Sequence, residues 1–327
     1  MLLLEELLRA LLAFLGQWVV LGEVKSDSKI YALLATARIA NVPSVLSNLG
    51  VGVFLGWVSS ESDFAWPWLL SVAAVMFYVG GNFLNDWADC EWDRENRPER
   101  ALPRGMFPKG FYLAKALGSF IGGLALTIPY GVGALGVAVV LVVLICLYTK
   151  IHKLTPFSVI PMGLCRACLP VLGFLGVRDD IAPQVLYPSA ALLIYIIALS
   201  VSARWESKGD IPPEKKLLAR GALIASGLVA AALPLLTNPV LGWIGLVPFA
   251  VWLWLSLTKY RSPVPAHVSA LLAGIPLIDW IALLPVALML YGHDRVMAGE
   301  PAFLMAVFLP PVSFVAGRAL QRVAPAT

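Results

Sequence analysis

Charge is what this sequence has least of. Lys, Arg, Asp and Glu together make up 44 of 327 residues, or 13%, against 59% hydrophobic residues and a mean hydropathy of +0.82. A soluble domain carries roughly a quarter charged residues, so this chain cannot coat a water-facing surface, and a soluble globular fold is excluded. Cysteine is nearly as scarce. Cys90, Cys146, Cys165 and Cys168 lie in or beside apolar segments, which argues against a disulfide framework. Cys165-x2-Cys168 has the spacing of half a zinc or redox site but lacks a second pair. Three histidines, and no Gly-rich phosphate loop or Ser-His-Asp arrangement, remove the common hydrolase and nucleotide-binding patterns. The net charge of +4 is small and scattered, so no nucleic-acid partner is expected.

What the chain does have is long charge-free intervals. A bilayer core takes about 20 apolar residues per helix. Arg38 to Glu61 and Asp63 to Asp86 each enclose 22 uncharged residues, and Asp180 to Arg204 encloses 23. Lys115 to Lys150 encloses 34, interrupted at Pro129-Tyr-Gly-Val-Gly133, and Arg220 to Lys259 encloses 38, interrupted at Thr237-Asn238-Pro239. Both interruptions read as hairpin turns. With the stretches near 155–177, 264–291 and 301–317, the sequence predicts an all-α polytopic transmembrane bundle of about nine to ten spans, forming a single domain over 30–327. Residues 1–29 carry Glu5, Glu6 and Arg9 among leucines and read as an interfacial amphipathic segment.

The loops alternate in charge. Those at 91–109, 150–153, 204–220 and 259–261 hold most of the lysines and arginines, whereas the opposite loops hold only Arg178 and Arg295. The positive-inside rule places the first group and both termini in the cytoplasm.

The second span ends in Asn82-Phe-Leu-Asn85-Asp86-Trp-Ala-Asp89-Cys-Glu-Trp-Asp93. At about 100° per residue, Asn85, Asp89 and Asp93 share one stripe of a helix, with Asp86 beside it and Asn82 a turn earlier. Stacked carboxylates repel. An oxygen-rich stripe of this kind suits Mg²⁺, which takes a few carboxylates together with phosphate oxygens and water.

The residues that follow, Asn96-Arg97-Pro98-x-Arg100-x-Leu102-Pro103-x-Gly105, complete a pattern that resembles the first signature of the UbiA superfamily of intramembrane prenyltransferases. Arg38-Ile-Ala-Asn41-Val-Pro43-Ser44 is similar to the opening of that family's first core helix, and the resemblance covers roughly 35–260. It implies an all-helical fold, usually of nine spans, in which Mg²⁺ holds an isoprenyl diphosphate while its prenyl group passes to an acceptor. The implied metal ligands are Asn85, Asp86, Asp89 and Asp93, with Asp89 and Asp93 catalytic. Arg97, Arg100, Tyr148, Lys150, Lys153 and Arg204 would contact diphosphate, and Asn41 and Asn82 would line the substrate site. Tyr148-Thr-Lys150-Ile-His152-Lys153 resembles the family's tyrosine-plus-basic segment, with His152 and Lys153 where Lys-Arg is usual.

The family's second Asp-x3-Asp motif is missing. Ser202 and Glu206 occupy its positions with Arg204 between them. Glu206 would be the residual second metal ligand and, with Arg204, a catalytic candidate. These residues, together with Met162-Gly-Leu-Cys-Arg166, resemble the EboC-like branch of the superfamily.

Arg166, about 16 Å along its helix at 1.5 Å per residue, and Asp279 are charges inside spans, and a charge there defaults to a functional hypothesis. Arg166 would reach diphosphate or an acidic acceptor, and Asp279 would pair with it or orient an acceptor hydroxyl. The implied partners are an isoprenyl diphosphate, a lipophilic or aromatic acceptor, and the lipid bilayer. Two other readings stand beside this one: a glycerol-phosphate or other polyol acceptor, and a carrier that binds prenyl diphosphates without turning them over.

Overall fold

The structure, a computed structural model, describes residues 28–60, 63–206, 213–291, 301–322 and 324. The expected amphipathic segment at 1–29 lies outside the described residues except for its last two positions. Among the described residues there is helix and no strand, and nine stretches are long and apolar enough to cross a membrane.

One of the nine, Lys109–Ile151, is 43 residues long, about twice what a bilayer core needs. It is a hairpin: α4 (Lys109–Thr127) and α5 (Gly131–Ile151) meet at a 3-10 turn over Ile128–Tyr130. Gly131 has φ +86°, a conformation a side chain would resist, and this lets the chain reverse. Both outer ends of the hairpin sit beside the end of α3 (Trp68–Asn96): Lys109 is 3.4 Å from Glu91, and Lys153, just past α5, is 2.6 Å from Asp89. With the hairpin arms counted separately, the described residues hold ten stretches of membrane-spanning length, within the nine to ten that the charge-free intervals predict.

The other elements are α1 (Lys29–Thr36), α2 (Val42–Val58), α6 (Val159–Leu175), α7 (Pro183–Glu206), α8 (Pro213–Thr237), α9 (Pro239–Leu257), α10 (Val264–Ala273), α11 (Ile275–Leu290) and α12 (Pro301–Leu320). Local chemistry sets several of these boundaries. Ser28 Oγ accepts from the Ile30 and Tyr31 amides and caps α1, and Asn238 Oδ1 accepts from the Leu241 amide and caps α9, satisfying donors that a helix start leaves open. α3 stops at Asn96, and its cap Arg97 immediately precedes Pro98, where proline disfavours helical backbone in its predecessor.

Three apolar cores result. One joins α2 to α6 around Leu49, Phe77, Tyr112 and Leu172, a second joins α7 to α12 around Leu192, Leu223, Trp252 and Leu271, and a third gathers Phe54, Trp57, Phe174, Leu283 and Ala306. The exposed apolar side chains of α4 and α5, such as Ile121, Val132, Val139 and Val143, are lipid-facing rather than unpartnered. Within the first core, α2 packs on α6 at glycine contacts. A Cβ on Gly52 would meet the Pro170 carbonyl at 1.8 Å, and one on Gly173 would meet the Leu49 carbonyl at 2.0 Å. Small residues let membrane helices approach this closely.

Candidate active site

Where the first two cores meet, a cavity of about 420 Å³ opens at the aspartate end of the bundle. Its mouth carries Arg38, Asn85, Arg97, Arg100 and Arg204, and its deeper wall is formed by apolar side chains including Ala74, Phe77, Leu141, Ile145 and Leu169. The sequence candidates Asn41, Asn82, Tyr148 and Arg166 also line it.

The predicted stripe forms on α3. Asn85, Asp86, Asp89 and Asp93 are all buried, Asp93 to 1% exposure. Buried carboxylates require compensation, and each has it. Arg100 Nη1 donates to Asp93 Oδ2 at 2.9 Å and to Asp86 Oδ1 at 3.3 Å, and Arg38 Nη2 is 3.9 Å from Asp86. Asp89 is held by Lys153 Nζ at 2.6 Å and by His152 Nε2 at 3.1 Å. The aspartates therefore lie behind the lining, paired to cations, while Asn82 and Asn85 face the cavity.

Two oxygens in the stripe are left over. Asn85 Oδ1 and Asp93 Oδ1 are buried and accept no hydrogen bond, an arrangement that ordinarily calls for a partner. Hard oxygen donors that lack a protein partner fit Mg²⁺. No group of three His, Cys, Asp or Glu residues among the described residues could hold a metal unaided. Diphosphate oxygens and water would have to complete the coordination.

Arg38 adopts φ 47°, ψ 51°, which is uncommon for a residue with a side chain. Its neighbours over-determine it: Tyr78 Oη donates to the Arg38 carbonyl at 3.3 Å, Asn82 Nδ2 to the Ala37 carbonyl at 3.1 Å, and Arg38 Nη1 to Asn82 Oδ1 at 3.0 Å. The turn points the guanidinium at the carboxylates. Asn41 caps α2 without a side-chain cap bond, and its carbonyl accepts from Ser44 Oγ at 2.7 Å.

Several expected roles change. Lys150 is exposed and outside the cavity lining, so Lys153 is the lysine that meets the stripe. Arg204 lines the mouth but also braces the 152–158 loop, donating to Ser158 Oγ at 2.7 Å and to the His152 carbonyl at 3.1 Å. The Glu206 side chain lies outside the described residues.

Arg166 and Asp279 do not pair directly. Arg166 lies seven residues into α6, about 10 Å from the helix start at 1.5 Å per residue rather than the expected 16 Å. Its Nη1 donates to Ser44 Oγ and Asn48 Oδ1, both at 3.0 Å. Asn48 Nδ2 in turn donates to Asp279 Oδ2 at 2.8 Å, and Ser47 Oγ donates to the same oxygen at 2.5 Å. Asp279 is 0% exposed and does not line the cavity, so it cannot orient an acceptor hydroxyl there.

Arg38, Ser44, Asn48 and His152 escaped the sequence-based site assignment. Arg38 and Ser44 sit in the segment that resembles the family's first core helix, and His152 sits where the family's basic pair is usual. Asn48 carries no such signal.

The model of the UbiA prenyltransferase family matches residues 45–211, from α2 through the end of α7 and including the whole stripe. The digeranylgeranylglyceryl phosphate synthase of Pyrococcus abyssi (strain GE5 / Orsay) is 28% identical over 255 residues, covering 76% of this chain and 84% of that protein. The enzyme of the same name from Methanopyrus kandleri is 31% identical over 187 residues, 54% of this chain and 68% of that one. A solved structure from work on digeranylgeranylglyceryl phosphate synthase in membranes overlays with a TM-score of 0.56 at 18% identity, covering 85% of this chain and 99% of the other. That likeness shows the fold. The match is to the family as a whole, and the EboC-like character remains a resemblance of the segments around Arg166 and Arg204. With just over half its length under the family model, the chain belongs to the UbiA prenyltransferase family, an integral-membrane enzyme that moves a prenyl group from an isoprenyl diphosphate.

Proposed function

We propose that the acceptor is an alkylated glyceryl phosphate and the donor a long isoprenyl diphosphate of the geranylgeranyl class. The observation that carries this reading is the likeness to digeranylgeranylglyceryl phosphate synthases across 84% of the Pyrococcus abyssi protein's length. Of the acceptor classes the sequence left open, it favours the polyol phosphate over an aromatic ring.

The site supports the chemistry. A prenyl chain is apolar and a diphosphate carries several negative charges, so the donor needs a dry groove ending in cations. The apolar wall and the Arg38, Arg97 and Arg100 mouth meet that need. Lys153 and Tyr148 stand beside it.

In the transfer, the acceptor hydroxyl oxygen bonds to C1 of the prenyl group as the bond from C1 to the diphosphate oxygen breaks. The electron pair leaves with pyrophosphate, and the hydroxyl proton passes to that departing base. Arg97, Arg100 and Lys153 stabilise the leaving charge, while the apolar walls keep water from the allylic cation. Mg²⁺, held by Asn85, Asp86, Asp89 and Asp93, would supply the divalent charge that lets carboxylates and diphosphate share one site. Glu206 would be a residual second ligand. The aspartate end is proposed to face the cytoplasm, because the loops there carry the excess of lysine and arginine.

The test is to incubate the purified chain with Mg²⁺, geranylgeranyl diphosphate and either geranylgeranylglyceryl phosphate or 4-hydroxybenzoate, and to identify products by mass spectrometry. The expected products are the diether phosphate and pyrophosphate. Product from the aromatic acid alone would overturn the acceptor assignment.

A further inference from the structure

The diphosphate mouth does not account for Arg166. This guanidinium lies in the cavity wall, on α6, below the cations of the mouth. A charge inside a span is costly and is held only where something uses it or balances it. Among the described residues its hydrogen bonds all come from Nη1, to Ser44 Oγ and Asn48 Oδ1. Neither acceptor is charged. The Tyr78 ring stacks against the guanidinium at 5.4 Å. Nη2 and Nε have no acceptor among these residues, which leaves one edge of the fork for a ligand.

The network behind Arg166 holds that edge in place. Asn48 can satisfy both neighbours in one orientation only, with its carbonyl toward the guanidinium and its NH₂ toward the carboxylate. Asp279 accepts from that NH₂ at 2.8 and 3.0 Å, and Ser47 adds a further hydrogen bond. Asp279 therefore fixes the amide, the amide fixes Nη1, and the rest of the fork is left directed. Nothing in that chain of contacts places a negative group within bonding reach of Nη2.

The geometry points to Arg166 as the receptor for the acceptor's anionic headgroup, with Asn48 and Asp279 as its positioning residues. This deepens, and rests on, the reading of the acceptor as a glyceryl phosphate. A planar fork suits a phosphate monoester or carboxylate better than a hydroxyl. The mouth cations Arg100 and Lys153 already face carboxylates and, on the proposed function, the donor diphosphate. An acceptor phosphate entering the apolar part of the cavity meets Arg166 instead. Its hydroxyl, a few bonds away in a glycerol, then lies between Arg166 and the diphosphate.

The test uses the full chain in detergent and measures binding without turnover. The probes are geranylgeranylglyceryl phosphate, its dephosphorylated alcohol, 4-hydroxybenzoate, and a non-hydrolysable geranylgeranyl thiodiphosphate with Mg²⁺. The native chain is expected to prefer the phosphorylated glycerol ether over the alcohol by about tenfold or more, the scale of one charge-assisted hydrogen bond. Arg166→Gln should erase that preference while thiodiphosphate affinity stays within about twofold, and in a separate turnover assay with geranylgeranyl diphosphate it should raise acceptor KM more than it lowers kcat.

Arg166→Lys keeps the charge but not the fork, and should restore part of the preference. Asp279→Asn should weaken acceptor binding in the same direction by a smaller factor, and it provides the reading if Arg166→Gln fails to fold. An unchanged preference in all three variants would overturn the assignment, as would a parallel loss of thiodiphosphate binding, which would hand Arg166 to the donor. If the native chain binds the aromatic acid and ignores the glyceryl phosphate, and Arg166→Gln loses that binding, the proposed acceptor fails while the anion receptor stands.

Discussion

Lys153 Nζ stands 2.6 Å from Asp89 Oδ1, with the Trp92 ring 4.3 Å from the same nitrogen. The contact ties the loop after α5 to the aspartate helix and places one cation at the metal-side oxygen set. Lys150, three residues earlier, is exposed and off the cavity. Lys153→Met is therefore expected to lower kcat/KM for the prenyl diphosphate by about tenfold or more, since it removes a charge-assisted contact. Lys150→Met, a surface change, should stay within about twofold. Steady-state kinetics on both variants checks the pair, and equal losses would sink the distinction.

The Arg100 bridge makes the aspartates unequal. Asp93 accepts from Arg100 at 2.9 Å while 1% exposed, and Asp89 shares its charge between Lys153 and His152 near the loop. Asp89→Ala and Asp93→Ala should both abolish Mg²⁺-dependent diphosphate binding. Only Asp93→Ala should also cost folding stability, by about 1–3 kcal/mol, because it strips a buried partner from Arg100. Thermal unfolding in detergent alongside thiodiphosphate titration separates the two effects. Retained metal-dependent binding in either variant would remove that residue from the metal set.

The bundle and the stripe were readable because both depend on local spacing. Charge-free intervals mark spans whatever packs against them, and the i, i+4, i+8 placement of Asn85, Asp89 and Asp93 survives as one helix face. Pro129 to Gly133 likewise declares its turn by residue type. The polar network in the wall has no such local trace. Asn48 binds Arg166 across 118 positions and Asp279 across 231, and one asparagine in an apolar span is indistinguishable by sequence from a packing residue. The direct Arg166–Asp279 pair was expected because opposite charges inside a membrane seek each other. A side chain able to donate and accept at once met both needs without contact between the charges. His152 received no role from the sequence because neither of its bonds, to the Thr149 carbonyl and to Asp89, is specified by a histidine's position alone.

Metal removal follows from the same cation pairs. Arg100, Arg38 and Lys153 already compensate the three aspartates, so the fold does not depend on a divalent ion for charge balance. Chelation is expected to abolish turnover and to leave the unfolding temperature in detergent within about 2–4 °C, the shift that about 1 kcal/mol makes in a chain of this size or smaller. Activity should return with Mg²⁺, which suits a site completed by phosphate oxygens. Unfolding on chelation would mean that the metal, not the arginines, holds the stripe together.

The contact between α2 and α6 sets the register of the polar wall, since Ser44 and Asn48 stand on one helix and Arg166 on the other. Gly52 and Gly173 allow it: an added Cβ would reach backbone carbonyls at 1.8 and 2.0 Å, well inside any real contact. Backbone cannot rotate away as a side chain can, so the helices must separate. Gly52→Ala or Gly173→Ala is expected to destabilise the bundle by about 1–3 kcal/mol or more through overpacking, and to stretch the 3.0 Å bonds that hold Arg166. Gly118, on the exposed side of α4 with nothing within 4 Å of its Cβ position, is the control. There alanine should be neutral or favourable by about 0.5–1 kcal/mol from helix propensity. Unfolding temperatures of the three variants in one detergent decide it, and a Gly52 variant as stable as the Gly118 variant would show that the two helices are not in such close contact.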